Sequence, residues 1–260
     1  MHWLFVLSLL LAGPAFAQKN FIDWERERLW AEEISSNIVV GNPVYLEVKG
    51  QPQFLNIYTK VPGSKTAVII LHGMRRHPDW NLIGVLRIGL ADAGYSTFSM
   101  QLPVLGLGAK FEHYVPFYPE AAARVKAGVD FLKNQEGFDR VAIVSHSIAS
   151  RITNWYLWNN EGGAPVDAWA SVGIVAGIYD WIDAIPCPVL DLYSEKDFQD
   201  VLWQAARRKD QMSQIKGARQ VMVPGVDHFF EGHEDTLVEY VKTFLDEVLA
   251  GRPKAASAAQ

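Results

Sequence analysis

Short continuous apolar runs alternate along most of the chain with segments whose apolar residues recur at helical spacing. Six short, continuous apolar runs are typical of strands buried on both faces of a parallel sheet. These runs are Ala67–Leu71, Tyr95–Met100, Val141–Val144, Trp169–Val175, Val189–Tyr193 and Val221–Val223. Apolar residues recur at helical spacing in Trp80–Ala93, Glu120–Lys133, Ile148–Trp158, Val201–Met212 and a last segment from Leu237 to Leu249. Strands that alternate with helices predict an α/β fold, a mostly parallel central sheet with helices on both faces.

The N-terminal residues have a different character. Residues 1–17 read MHWLFVLSLLLAGPAFA, an apolar run too short for a membrane anchor, ending in the small-x-small pattern of Ala15 and Ala17 that signal peptidase accepts. We therefore expect a signal peptide cleaved after Ala17 and an exported protein, periplasmic or secreted, with no stable membrane span after cleavage. Because no Lys or Arg precedes the apolar run, an uncleaved N-terminal anchor is the alternative.

The rest of the chain is predicted to hold one folded domain. Residues 18–40 carry apolar positions at helical spacing and predict an N-terminal helical segment that packs on the main body. The domain covers residues 41–250 and opens with two half-buried strands between residues 44 and 58. Residues 251–260, GRPKAASAAQ, are rich in small residues and predict a flexible tail.

Composition and charge exclude several classes of protein. The 260 residues are 49% hydrophobic and 20% charged, which excludes disordered, collagen-like and coiled-coil proteins. With 24 Lys plus Arg against 29 Asp plus Glu, the net charge is -5, so we expect no nucleic-acid partner, because phosphate contacts need clustered basic residues. The single cysteine, Cys187, excludes an intramolecular disulfide framework and a multi-thiolate zinc site. We expect no metal and no organic cofactor.

The strand Val141–Val144 runs directly into a short polar turn, Ser145-His146-Ser147-Ile148-Ala149. A strand, a tight turn and a helix with serine at the apex match a nucleophile elbow, which strains the serine backbone and requires small residues two positions away on either side. Those positions, usually glycine, hold Ser145 and Ala149 here. The pattern predicts Ser147 as a catalytic nucleophile, and a helix N-cap is the structural alternative. His146 is expected to support the turn.

Two further candidates follow the ends of later strands. Asp197 comes after Val189–Tyr193, and His228 comes after Val221–Val223. Because the carboxyl ends of parallel strands meet at one edge of a sheet, we expect Ser147, Asp197 and His228 to form a triad in which His228 is the base and Asp197 orients it. The competing candidates are Asp180, Asp183 and Asp191 for the acid and His233 for the base.

A loop that begins with His72 and Gly73 follows the strand Ala67–Leu71. Acyl transfer needs two backbone N–H groups aimed at the oxyanion that develops on the carbonyl. We expect one from Ile148, the residue after the nucleophile, and the other from Met74 in this loop.

These motifs together resemble the α/β-hydrolase superfamily over residues 41–250. Within it, LHG at 71–73, HPDW at 77–80 and QLP at 101–103 resemble a family of exported bacterial α/β-hydrolase proteins whose activity is uncharacterised. The resemblance implies the α/β-hydrolase fold and a site of the serine-hydrolase type. It implies no particular substrate. Because Asp197 follows Ser147 by 50 positions and His228 follows Asp197 by 31, there is no room for a large inserted domain between them, and we expect a minimal lid.

Residues near the predicted site give the first indications of a substrate. Arg75, with Arg76, follows the oxyanion loop and favours an anionic group if it faces the cleft, whereas a solvated surface pair is the alternative. Phe111 and Tyr114 lie in an aromatic segment between a strand and a helix, where they suit a lid or a wall for an acyl group.

The sequence therefore predicts a serine hydrolase of the carboxylesterase type that acts on a small-molecule acyl substrate. An acyltransferase with the same triad is one alternative. The other is a non-catalytic envelope binding protein on a hydrolase scaffold, which the replacement of both elbow glycines by Ser145 and Ala149 keeps open.

Overall fold

The structure of the protein, a computed structural model, describes residues 22–160, 165–176, 179–180 and 185–249. The predicted signal peptide, the predicted tail and the candidate acid Asp183 lie outside the described residues. Cleavage after Ala17 therefore stays a prediction.

Eight strands within these ranges form one sheet. They are β1 (Asn42–Leu46), β2 (Phe54–Thr59), β3 (Thr66–Leu71), β4 (Ser96–Met100), β5 (Arg140–His146), β6 (Ala168–Val172), β7 (Val189–Lys196) and β8 (Arg219–Asp227). Their order is β1-β2-β4-β3-β5-β6-β7-β8, antiparallel from β1 to β4 and parallel from there to β8. The chain leaves β3 toward β4 on one side and returns to β5 on the other. This reversal opens a crevice at the carboxyl ends of β3 and β5.

Helices cover both faces of the sheet. They are α1 (Trp24–Asn37), α2 (Asn81–Asp92), α3 (Phe111–Tyr114), α4 (Tyr118–Asp130), α5 (Ile148–Asn159), α6 (Gln199–Trp203), α7 (Ala205–Met212) and α8 (Glu234–Leu249). A 3₁₀ turn at Val115–Phe117 joins α3 to α4, and a π-helical turn at Phe131–Gln135 follows α4. Among the helices described, none combines the length and the apolar character needed to cross a membrane.

Alternate residues of the central strands enter two separate cores. In β3, Ala67, Ile69 and Leu71 pack with α4 and α5 on one face, whereas Val68 and Ile70 pack with α2 and α8 on the other. All five side chains are fully buried. Burial on both faces is the reason that the apolar runs are continuous, and the predicted mostly parallel sheet with helices on both faces is confirmed.

One predicted helix is two. The segment predicted at 201–212 breaks at Gln204 into α6 and α7. The Arg208 guanidinium donates to the carbonyl of Val201 at 2.7 Å, and a continuous helix would direct that carbonyl to the N–H of Ala205. The break therefore accompanies a side-chain contact that helical periodicity does not reveal.

The N-terminal helix α1 is held to the domain by a buried ion pair. Glu27 lies 2.9 Å from Arg124 of α4 and also accepts from the N–H of Val104 at 2.9 Å. At the start of the helix, Asp23 caps it by accepting from the N–H of Arg26 at 3.1 Å. Since Glu27 and Arg124 are both buried, α1 is fixed beside the loop that follows β4.

Candidate active site

Ser147 lies at the tight turn between β5 and α5. Its backbone has φ +61° and ψ −124°, a region that is costly for any residue with a side chain. The turn is held by a hydrogen bond from the N–H of Ser147 to the carbonyl of Val172 at 2.8 Å. The hydroxyl makes no capping hydrogen bond to α5, and Ser147 instead lines a cavity beyond the strand ends. The strain therefore presents the hydroxyl to the cavity.

The two small residues around the elbow fit without glycine. Ser145 is fully buried, and its Oγ accepts from Nε1 of Trp169 at 2.7 Å and lies 3.1 Å from Oγ of Ser150. Ala149 is also fully buried, in the core that α5 forms with the sheet. The departures from glycine are accommodated by the packing below the turn.

His228 directly follows β8, and its Nδ1 lies 2.6 Å from Oδ1 of Asp197, which directly follows β7. Because Nδ1 faces a carboxylate, it carries the proton and leaves Nε2 as an acceptor. Nε2 has no hydrogen-bond partner in the part of the chain that the structure describes, and His228 lines the same cavity as Ser147. The structure thus brings Ser147, Asp197 and His228 together with the tautomer that a general base needs.

The Asp197 carboxylate is held by donors close to it in sequence. It accepts from the N–H and the hydroxyl of Ser194 at 3.2 and 2.9 Å, and from the N–H of Phe198 at 2.8 Å. Burial acts to raise the pKa of Asp197, but the hydrogen bond and charge of His228, together with the backbone donors, outweigh burial and lower this pKa. The carboxylate is therefore ionised at neutral pH and can stabilise positive charge on the imidazole.

Aromatic rings and a glycine surround the His228 imidazole. Phe198 stacks on the ring with centroids 4.1 Å apart, and the His146 ring lies at 4.7 Å. His146 Nε2 donates to the His228 carbonyl at 2.9 Å, and burial lowers the pKa of His146 to about 3, so this histidine is neutral. Gly173, at φ +55°, leaves room for the imidazole ring, because a Cβ at this position would lie only 2.9 Å from Cε1 of His228. Sequence reasoning placed His146 in the elbow but missed its contact with His228, which joins residues far apart in the chain.

His72 fixes the loop that is expected to supply an oxyanion donor. Its Nδ1 donates to the carbonyl of Gly73 at 2.8 Å, and its Nε2 accepts from the N–H of Leu102 at 3.0 Å. Burial lowers the pKa of His72 to about 3, so the neutral ring keeps both bonds. Gly73 packs against the nucleophile, because an added Cβ would lie 3.2 Å from Cβ of Ser147.

The two predicted oxyanion residues flank this contact. Met74 follows Gly73 and lines the cavity. Ile148 is the first residue of α5, where backbone N–H groups have no partner inside the helix. Their role as oxyanion donors stays a prediction.

The competing candidates take other positions. Asp191 is fully buried and accepts from Arg208 Nε at 2.9 Å. Asp180 pairs with Arg151, and His233 is exposed directly before α8. Nowhere in the described ranges do three or more His, Cys, Asp or Glu side chains converge in a way that could hold a metal ion.

The cavity has a volume of about 460 Å³. It is lined by Arg26, Trp30, Gly73, Met74, Arg75, Arg76, Leu107, His146, Ser147, Phe198, His228 and Phe229. Sequence reasoning missed Arg26 and Trp30, because α1 precedes the predicted domain and nothing in its pattern shows that it reaches the site. It also missed Phe198 and Phe229, although each directly follows a triad candidate.

Of the three residues predicted to contact substrate, one lines the cavity and two do not. Arg75 lines the cavity with an exposed side chain and φ +60°. Phe111 and Tyr114 do not line it, because their rings pack into the main core. The Tyr114 hydroxyl accepts from the N–H of Leu105 at 3.3 Å and interacts with the backbone of Arg75. From the same aromatic segment, Leu107 reaches the cavity and is 77% exposed.

Comparison with known proteins agrees with this geometry at the level of the fold. No protein-family model and no curated protein matches the chain. Among solved structures, a dienelactone hydrolase from Anabaena variabilis has a TM-score of 0.59 at 16% identity, covering 79% of this chain and 98% of that one. An α/β serine hydrolase without a lid from Xanthomonas campestris has a TM-score of 0.63 at 14% identity, with 83% and 98% covered. An esterase from Pyrococcus furiosus has a TM-score of 0.65 at 13% identity, with 82% and 97% covered.

The chain therefore has the α/β-hydrolase fold. The predicted fold class is confirmed, and the resemblance to the α/β-hydrolase superfamily is confirmed at the level of the fold. The narrower resemblance to an exported family stays a prediction.

Proposed function

We propose that the protein is a serine hydrolase that cleaves a carboxylic ester of a small molecule through an acyl-enzyme. The observation that carries the proposal is the placement of a strained Ser147 and an Asp197-bound His228 around one cavity. A dienelactone hydrolase and an esterase are among the proteins of similar fold, which supports a hydrolytic activity.

The proposed reaction begins with attack of the Ser147 hydroxyl on the ester carbonyl. His228 Nε2 takes the hydroxyl proton, because Nδ1 is already protonated toward Asp197. The ionised Asp197 stabilises the imidazolium that forms. The same proton then passes from Nε2 to the leaving alcohol oxygen as the carbon–oxygen bond breaks.

Water completes the reaction. It attacks the acyl-enzyme carbonyl while His228 takes its proton, and return of that proton to Ser147 releases the carboxylic acid. In both steps the carbonyl oxygen becomes an oxyanion, and the N–H groups of Met74 and Ile148 are the proposed donors. Losing one such donor costs about 3 kcal/mol of transition-state stabilisation in well-studied acyl transfer.

Labelling with a fluorophosphonate probe tests the nucleophile. We expect purified protein to acquire one adduct, mapped to Ser147 by peptide mass spectrometry. Ser147→Ala removes the adduct, whereas Ser213→Ala retains it, because Ser213 is exposed and its hydroxyl only donates to the Asp210 carbonyl. Absence of an adduct on folded protein would refute the proposal and favour a non-catalytic binding protein.

Turnover distinguishes hydrolysis from acyl transfer to another acceptor. We expect short-chain nitrophenyl esters to release acid and alcohol in equal amounts. If an added alcohol or amine captures most of the acyl group, the protein is an acyltransferase with the same triad.

We also propose that the protein is exported, on the strength of its N-terminal 17 residues. N-terminal sequencing of protein isolated from the cell envelope or medium is expected to begin at Gln18. Recovery of the intact N-terminus would favour the uncleaved anchor.

A further inference from the structure

Positive charge without a matching negative charge lines the cavity. Three arginines contribute to the lining, and none of the lining residues is Asp or Glu. Arg26 has its own partner, since its guanidinium lies 3.0 Å from Asp23. Arg75 and Arg76 have no ion-pair partner among the described residues.

Arg76 is the less solvated of this pair. Its guanidinium carbon lies over the Trp80 ring, 4.2 Å from the ring centroid, and 5.7 Å from the ring centroid of Phe229. Its Nε is buried without a hydrogen-bond partner in the part of the chain that is described. Burial, followed by the charge of Arg75, acts to lower the pKa of Arg76, but an arginine stays protonated in proteins.

The chemistry of the guanidinium determines which ligand Arg76 can bind. A guanidinium over an aromatic ring still carries five N–H donors in a planar fork. That fork matches a planar carboxylate, which can accept two parallel hydrogen bonds. A partly buried charge with an unpaired donor is costly unless a ligand completes it.

The two arginines are close in sequence to a residue that we propose acts in the reaction. Arg75 and Arg76 directly follow Met74, the proposed oxyanion donor, and consecutive Cα atoms lie about 3.8 Å apart. Arg75, Arg76 and Ser147 also line the same cavity, so one small molecule can place an anion at these arginines and a carbonyl over Ser147.

We propose that the substrate is an ester that carries an ionised carboxylate, bound by Arg76 with Arg75. This inference rests on the proposed ester hydrolysis and specifies its substrate class. Leu107, Phe198 and Phe229 provide the apolar part of the same cavity.

Matched esters test the charge. On the acyl side, the monoester of glutarate with para-nitrophenol is compared with para-nitrophenyl valerate, which has the same chain length. On the leaving-group side, meta-carboxyphenyl butyrate is compared with phenyl butyrate. We expect the charged ester of at least one pair to have a kcat/KM about tenfold or more above its neutral partner, since hydrogen bonds to charged groups have that magnitude.

Variants assign the preference to a residue. Arg76→Gln is expected to abolish most of the charged-to-neutral ratio, and Arg76→Lys, which keeps the charge without the planar fork, is expected to retain part of it. Arg28→Gln is the matched control, because Arg28 is exposed on α1 and pairs with Glu25. Added salt is expected to lower the ratio in the wild type.

The outcomes separate this inference from the proposed function. Hydrolysis of the neutral esters without a preference for either charged ester, or with a preference that Arg76→Gln leaves unchanged, overturns the substrate class alone. An equal loss on charged and neutral esters in Arg76→Gln shows that this arginine does not select for the charge and also overturns the substrate class. Failure to hydrolyse any of the four esters, with no fluorophosphonate adduct on Ser147, overturns the proposed function and this inference together.

Discussion

Two buried neutral histidines make the stability of this protein sensitive to mild acid. His72 and His146 are almost completely buried, and burial lowers the pKa of each from an ordinary value of 6.5 to about 3. The unfolded chain takes up a proton at each imidazole as the pH falls below 6.5, whereas the folded protein does not. Stability from these groups is therefore full above that pH and is lost progressively toward pH 3.

The size of the loss follows from the two pKa values. Between about pH 7 and pH 5, protonation of one unfolded imidazole lowers the free energy of unfolding by about 2 kcal/mol while the folded pKa stays near 3. Both histidines together account for about 4 kcal/mol, a large part of the roughly 5–15 kcal/mol that is typical of a folded domain.

Urea unfolding, followed by tryptophan fluorescence between about pH 7 and pH 5, measures this loss. His146→Gln keeps an N–H donor for the His228 carbonyl but cannot titrate, so we expect its loss over this range to be smaller than that of the wild type by about 2 kcal/mol. His233→Gln, at an exposed position before α8, is the control and is expected to follow the wild type. Equal slopes for the wild type and His146→Gln would refute the assignment of His146 as a buried neutral group.

Three further predictions concern the site and its support. Asp197→Asn is expected to lower kcat by about 10⁴-fold with the fold retained, since the triad imidazole loses its orienting carboxylate; normal turnover would exclude this acid. Gly73→Ala is expected to lower kcat by about 10- to 100-fold, because the added Cβ would lie 3.2 Å from Cβ of Ser147 and displace the nucleophile. An unchanged kcat would show that the loop after β3 shifts to accommodate the methyl group. Asp191→Ala is expected to destabilise the protein by about 3–5 kcal/mol in urea, because it removes the buried carboxylate that pairs with the buried Arg208 guanidinium, while the remaining folded protein still reacts with a fluorophosphonate.

The fold follows largely from local pattern. Continuous apolar runs such as Ala67–Leu71 and Val141–Val144 predicted strands buried on both faces, and helical periods between them predicted the crossovers. Both features depend on residues close together in sequence. The break between α6 and α7 could not be predicted in this way, because it accompanies the contact of Arg208 with the carbonyl of Val201.

The candidate nucleophile is also a local prediction. Strand, turn and small neighbours around Ser147 are all within a few residues of one another, and the structure has the strained backbone that this pattern predicted. The order of Asp197 and His228 after two later strands placed them at the same sheet edge. Their roles, like that of Ser147, await the labelling and turnover experiments.

The sequence by itself determined the fold class and the small set of residues from which a site could be built. Only the tertiary structure decided that Asp197 rather than Asp191 contacts His228, and that Arg76 lines the cavity whereas Tyr114 packs into the core. The physical reason is that hydrophobic periodicity depends on neighbours in the chain. Side-chain direction, burial and charge pairing depend instead on segments that meet only when the sheet and its helices are packed together.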